Sequence, residues 1–203
     1  MKIVKKENKE AYEALVFCAG AKTNHKENLD LLRVKKGRLL ATDGHRLHYT
    51  PIKDIPDGLY NYEKKNTTIT LTLVKDKKYA DVDTWMDSLE FVQSVTVNRD
   101  EFYQRLKQVN VIPTTTWAGM KLTFNGKLEM RADNPDLGDV ETEIQTDKTI
   151  DPEFTIGMNC RYILNALIDM KGKTVEIGLQ YSPDCPLVFK QDNKTALIMP
   201  MRL

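Results

Sequence analysis

Two stretches of this chain run in the same order: a short helix announced by an asparagine, then tightly turned, alternating strands. In ENKEAYEALVFCAGAKT, Tyr12, Leu15, Val16 and Ala19 recur at helical spacing. Asn8 is the N-cap, and Gly20 with Thr23-Asn24 ends the helix. In NRDEFYQRLKQVNVI, Phe102, Leu106 and Val109 form one buried stripe. Here Asn98 is the cap, Glu101 holds the capping-box position and Pro113 is the stop. A run of strands follows each helix, so the architecture repeats with little identity between the copies. The expectation is an α+β chain of two units, 1–94 and 95–203, with helices on one face of antiparallel sheets.

The strands announce themselves through turns and alternation. NLDLLRVKKGRLLATDG reads as a hairpin, Leu29 to Val34 and Arg38 to Thr42, turning at Lys36-Gly37. HRLHYTPI continues in extended form. Pro56-Asp57-Gly58 marks a turn, and TTITLTLV is β-branched and alternating. No second helix is expected before Asp83. In the second unit, Asn125-Gly126 turns the hairpin of GMKLTFNGKLEMRADNP. GDVETEIQT adds a strand. FTIGMNCRYILNALIDMKG gives a strand and a helix capped by Asn159, with Gly172 as C′. TVEIGLQY, PLVFKQD and TALIMPMRL complete the strands.

Composition narrows the class. The hydrophobic share of 41% and charged share of 29% over 203 residues are those of an ordinary globule. No apolar run is long enough for a transmembrane helix, and MKIVKKENKE leads into no apolar signal core, so no membrane association is expected. Cys18, Cys160 and Cys185 have neither disulfide-framework nor zinc spacing, which fits a reducing cytoplasm. Net charge is +1, so any contact with nucleic acid relies on a local basic surface.

Chemistry is sparse. ATDGHRL offers Thr42, Asp43, His45 and Arg46, but no G-x-S-x-G, P-loop or dinucleotide fingerprint accompanies them. The carboxylates lack metal-ligand spacing. From the residues alone, a structural turn capped by Asp43 and paired to Arg46 outweighs a hydrolase built on Asp43 and His45. Non-enzymatic function, with no metal or cofactor, is expected.

The tail IMPMRL is apolar where chain ends are usually polar and frayed. ATDGHRL at 41–47 and MPMRL at 199–203 resemble two signature stretches of the bacterial replicative sliding clamp, the β subunit of DNA polymerase III. FTIGMNCRYILNAL resembles the second helix of that family's last domain. ADNP at 132–135 resembles a turn there, and YADVDTW at 79–85 its interdomain linker. The matches run in family order along nearly the whole chain. They cover the middle and last of the family's three clamp-like domains. The first unit lacks that domain's second helix, and Ala80 replaces the linker proline, so the pattern resembles a reduced, phage or prophage version.

The resemblance implies a processivity factor that encircles double-stranded DNA without reading sequence. It would hold DNA polymerase and clamp loader through short linear motifs in an apolar pocket at the domain junction. Carried over by motif, the pocket comprises Thr42, Gly44, His45, Arg46, Leu47, Trp85, Trp117, Asn159, Tyr162 and Pro186 with Leu187. The tail adds Leu197, Ile198, Met199, Pro200, Met201 and Arg202. Methionine adapts to many partners. Packing alone would also explain Trp85 and Tyr162. On helices and loops facing DNA, the resemblance points to Lys9, Lys22, His25, Lys26, Arg99, Arg105, Lys107 and Arg161, against the plain reading of a solvated charged face. Six similar domains close such a ring, so a two-domain chain implies a head-to-tail homo-oligomer, a trimer. The alternative is an adaptor or decoy that binds the motifs without forming a ring.

Overall fold

The computed structural model describes residues 1–23, 29–112 and 119–202. Chain contacts divide it into two compact units. The first holds residues 1–89 and 193–196, the second 90–192 and 197–203.

The first unit contains β1 (Lys2–Val4), α1 (Lys9–Ala19), β2 (Leu32–Lys35), β3 (Arg38–Thr42), β4 (Arg46–Pro51), β5 (Gly58–Lys65), β6 (Thr68–Val74) and α2 (Asp83–Asp87). The strands run β1-β6-β5-β2-β3-β4. Every pairing among them is antiparallel. Asn8 Oδ1 accepts the Ala11 amide at 3.0 Å, satisfying one of the open donors of the first helical turn. Leu15, Phe17 and Cys18 are buried beneath α1 with Leu39, Leu40, Ile69 and Leu71.

Local chemistry places the turns. Lys36 and Gly37 both have positive φ, 51° and 70°, as a tight two-residue hairpin turn requires. The first strand of that hairpin begins at Leu32. The sequence pattern extends it back to Leu29, but residues 29 and 30 are in a turn. β1 was not legible as a strand. It is one because Lys2, Ile3 and Val4 pair with Thr70, Ile69 and Thr68.

The second unit contains β7 (Gln93–Asn98), α3 (Arg99–Val109), β8 (Gly119–Phe124), β9 (Lys127–Asn134), β10 (Gly138–Gln145), β11 (Phe154–Asn159), α4 (Cys160–Asp169), β12 (Thr174–Leu179) and β13 (Leu187–Gln191). β14 (Lys194–Ile198) follows, its first three residues belonging to the first unit. One antiparallel sheet runs β10-β9-β8-β11, and β12 pairs with both β7 and β13. Asn98 caps α3 through Glu101 N at 3.0 Å. The stripe of Phe102, Leu106 and Val109 is fully buried. Gly126 carries φ 103° in the predicted β8–β9 turn.

The end of α4 corrects one expectation. Its C-cap is Met170, in extended conformation, and Gly172 lies beyond the αL position with no positive φ. Glycine is needed there for space. An added Cβ would lie 2.9 Å from Cδ of Gln191, whose Oε1 accepts the Gly172 amide at 2.6 Å.

The fold is α+β with antiparallel sheets, as expected. Among the described residues no helix is long and apolar enough to cross a membrane.

Candidate functional site

The ATDGHRL stretch forms the β3–β4 turn, and its hydrogen bonds explain its residues one by one. Asp43 Oδ1 accepts the amides of His45 and Arg46, both at 2.9 Å. Asp43 Oδ2 accepts Arg46 Nε, also at 2.9 Å. Thr42 Oγ1 accepts the Gly44 amide at 3.0 Å and donates to the Arg46 carbonyl at 2.6 Å. Gly44 has φ 89°, which a side chain would strain. The Asp43 and Arg46 side chains are 9% and 10% exposed, so this ion pair is held away from solvent. Both Asp43 oxygens therefore fasten the turn, as the residue-level reading expected. The turn lifts Gly44 and His45 into solvent while Thr42 and Leu47 remain buried.

Tyr79 and Asp83 brace this turn and the neighbouring strands, a role the sequence did not reveal. Tyr79 Oη accepts the Thr42 amide at 3.2 Å. Burial pushes the Tyr79 phenol well above its usual range, so it stays neutral. The Arg33 guanidinium lies 5.7 Å from the Tyr79 ring. Asp83 at the start of α2 accepts from Lys35 at 2.7 Å and Arg33 at 2.5 Å. The Lys35 hydrogen bond is the largest influence holding the Asp83 carboxyl below the usual range. α2 has five residues, none buried. Its Trp85 is half-buried. The ion pairs of Asp83 thus do what burial does for longer helices. Their signal in the sequence was only the YADVDTW stretch, because Arg33 and Lys35 lie about fifty positions away.

In the second unit, Asn159 Oδ1 caps α4 by accepting Arg161 N at 3.0 Å and Tyr162 N at 3.3 Å. Tyr162 is half-buried. Met201 N donates to the Gly157 carbonyl at 2.9 Å, fastening the tail beside the β11–α4 junction that carries Asn159 and Tyr162. Leu197 and Ile198 are closed off as core side chains, and Pro186 and Leu187 are also buried. Met199, Pro200 and Met201 are half-buried, and Arg202 is exposed. The apolar surface of this stretch therefore comes from the two methionines and the proline. Trp117 lies outside the described residues, as do His25 and Lys26.

The basic candidates fall into different surroundings. Lys9 is exposed and 3.9 Å from Glu13. Lys22 Nζ donates to the Asp30 carbonyl at 3.2 Å. Arg99 is 11% exposed at its side chain, donates to the Leu167 carbonyl and Asp100, and covers the Tyr103 ring at 4.9 Å. Its charge sits on the last turn of α4, where a helix C-terminus favours a cation. Arg105 reaches Gln108 at 3.4 Å. Lys107 is exposed and Arg161 half-buried.

The three cysteines are free, and burial pushes the Cys160 thiol up to about 12. Among the described residues no group of His, Cys, Asp and Glu could hold a metal ion.

The family model described as "DNA polymerase III beta subunit, C-terminal domain" matches residues 89–202. The beta sliding clamp of Pseudomonas aeruginosa is 28% identical over 112 residues, covering 54% of this chain and 30% of that protein. A solved DNA polymerase sliding clamp from Pseudomonas aeruginosa superposes with a TM-score of 0.79 at 20% identity, covering 100% of this chain and 66% of that one. The clamp from Bacillus subtilis gives a TM-score of 0.76 at 18% identity, covering 100% and 64%. The chain thus spans just under two thirds of these solved clamps and less of the curated relative. The structural likeness establishes the fold over the whole chain.

Proposed function

Because this chain belongs to the DNA polymerase III beta subunit family, we propose that it is a sliding clamp that encircles duplex DNA and tethers a polymerase. It performs no chemistry of its own. Its effect is local concentration: a tethered polymerase rebinds the template before it diffuses away. The match of the family model to residues 89–202 carries this reading.

In this reading an apolar pocket takes short motifs of polymerase and clamp loader. Its proposed residues are Thr42, Gly44, His45, Arg46, Leu47, Trp85 and Trp117. Asn159, Tyr162, Pro186 and the tail from Leu197 to Arg202 complete it. Support comes from the half-buried Met199, Pro200 and Met201, whose apolar surface suits variable partners. DNA contact is electrostatic and sequence-independent. Lys9, Lys22, His25, Lys26, Arg105, Lys107 and Arg161 are its proposed contacts. Arg99 remains among them as a residue that also fastens α4. In this reading the domains are 1–94 and 95–203, near the division at residues 89 and 90, and three chains close the ring head to tail. The sheet edges at β1 and β10, each bonded on one side only in the strand order, support such pairing. The protein works in the cytoplasm, as replication does in bacteria and their phages.

The test is topological. Protein loaded by its clamp loader onto circular duplex DNA should stay bound through gel filtration in high salt and leave once the circle is cut. Release at the same rate from cut and uncut circles would refute encirclement.

A further inference from the structure

We propose that a stripe of lysines and tyrosines on the first unit, Lys22, Tyr62, Lys64, Tyr12 and Lys5, contacts the phosphate backbone of duplex DNA. The proposal rests on the clamp reading and adds a surface to it.

The stripe is continuous. The Lys22 ammonium lies 5.8 Å from the centre of the Tyr62 ring. Tyr62 and Lys64 are two residues apart on β5, so they share a face. The Lys64 ammonium lies 5.8 Å from the Tyr12 ring, and Lys5 approaches the same ring at 5.7 Å. Two anchors set this geometry. Tyr12 Oη donates to the Asn66 carbonyl at 3.2 Å, and Lys5 N donates to the Thr67 carbonyl at 2.9 Å. These distances lie within the range of cation–π attraction. Each ammonium thus sits over a ring with donors to spare, Lys22 having given one to the Asp30 carbonyl.

Among the described residues, no ion pair engages these lysines. Lys35 and Lys127 are bound to carboxylates, as is Arg131. Among the described residues, Lys5, Lys22 and Lys64 have no carboxylate within ion-pair distance. Lys22 donates to the neutral Asp30 carbonyl. Glu63 points to the other face of β5 by strand alternation. Glu13 is engaged by Lys9, and Glu10 lies in the first turn of α1. With a net charge of only +1, such a local concentration of cations is what would attract a polyanion.

The aromatic rings select the mode of contact. A ring that stacks on a base must offer an open face, yet Tyr12 is 6% exposed and both tyrosines carry lysines. The rings therefore hold cations, and the cations meet phosphates. That predicts binding indifferent to sequence.

The test compares the full-length protein with two triple variants, one carrying Lys5→Gln, Lys22→Gln and Lys64→Gln, the other arginine at the same three positions. Fluorescence anisotropy follows binding to two labelled duplex oligonucleotides of unrelated sequence across a salt titration. The glutamine variant should lose about 2 to 3 from the magnitude of the log–log salt slope, as expected for as many lost phosphate contacts. The arginine variant should keep the slope, and both duplexes should behave alike. Lys64→Gln alone, at an exposed position, should lose about 1 and covers the case of a triple variant that misfolds. An unchanged slope in the glutamine variants, with wild-type protein binding duplex, would overturn the stripe and leave the clamp reading standing. Wild-type protein that binds no duplex at any salt would overturn the stripe together with the DNA part of that reading.

Discussion

Arg46 Nε donates to Asp43 Oδ2 at 2.9 Å, while Asp43 Oδ1 holds the amides of His45 and Arg46 itself. One buried carboxylate therefore sets both the backbone of the turn and the place of its cation. Asp43→Ala removes three hydrogen bonds and leaves the Arg46 guanidinium without this counter-charge. It should destabilise the protein by about 2–3 kcal/mol in urea unfolding. Asp43→Asn, which keeps an acceptor at Oδ1, should cost less. Equal stability of Asp43→Ala and wild type would show that the turn does not depend on this pair.

His48 makes stability depend on pH. Its ring is fully buried, stacks on Phe17 with centroids 4.6 Å apart, and places Nδ1 2.8 Å from the Phe17 carbonyl. Burial, the largest cause, lowers its pKa from 6.5 to about 4. The unfolded chain therefore binds this proton first as pH falls. The contribution is complete above 6.5, is lost between 6.5 and about 4, and changes no further below that. The full loss is roughly 3 kcal/mol. His48→Phe should flatten this part of the stability profile. A slope unchanged by the substitution would assign it to other groups.

Asp83 holds α2 to β2 through Lys35 and Arg33, and no side chain of α2 is buried. Asp83→Asn should loosen the segment carrying Trp85 and shift its fluorescence to longer wavelength, read in a Trp117→Phe background. Salt should weaken the half-exposed Lys35 contact more than the Arg33 contact, whose arginine is 10% exposed. An unshifted spectrum would mean that α2 is fastened by something other than these ion pairs.

Deleting residues 199–203 removes Met199, Pro200 and Met201 but leaves the buried Leu197 and Ile198 in place. Binding of a clamp-binding motif peptide should weaken by about 1–2 kcal/mol or more, and Met199→Ala should move the same way. Undiminished affinity in a folded deletion variant would remove the tail from the pocket.

What could be read from the sequence depended on the distance between cause and effect. Asn8, Asn98 and Asn159 were legible as caps because each bonds amides two or three residues ahead. Lys36-Gly37 and Asn125-Gly126 were legible because a tight turn demands its own residues. β1 was hidden, since Thr68 to Thr70 make it a strand from far along the chain. Gly172 misled for the same reason: a local rule suggested a helix end, while Gln191 determines why glycine stands there. Within the candidate site, the Asp43–Arg46 pair followed from spacing. The Tyr79 contact to Thr42 and the Asp83 contacts to Arg33 and Lys35 could not, because strand pairing alone brings them together. The tail motif marked a stretch without separating core from surface. Burial assigns Leu197 and Ile198 to the core and leaves the next three residues half-open.

The most direct test of the ring is solution mass, measured by light scattering across a wide concentration range. A closed ring of three chains predicts a trimer that persists on dilution. A monomer, or a dimer that dissociates on dilution, would contradict encirclement of DNA by this chain.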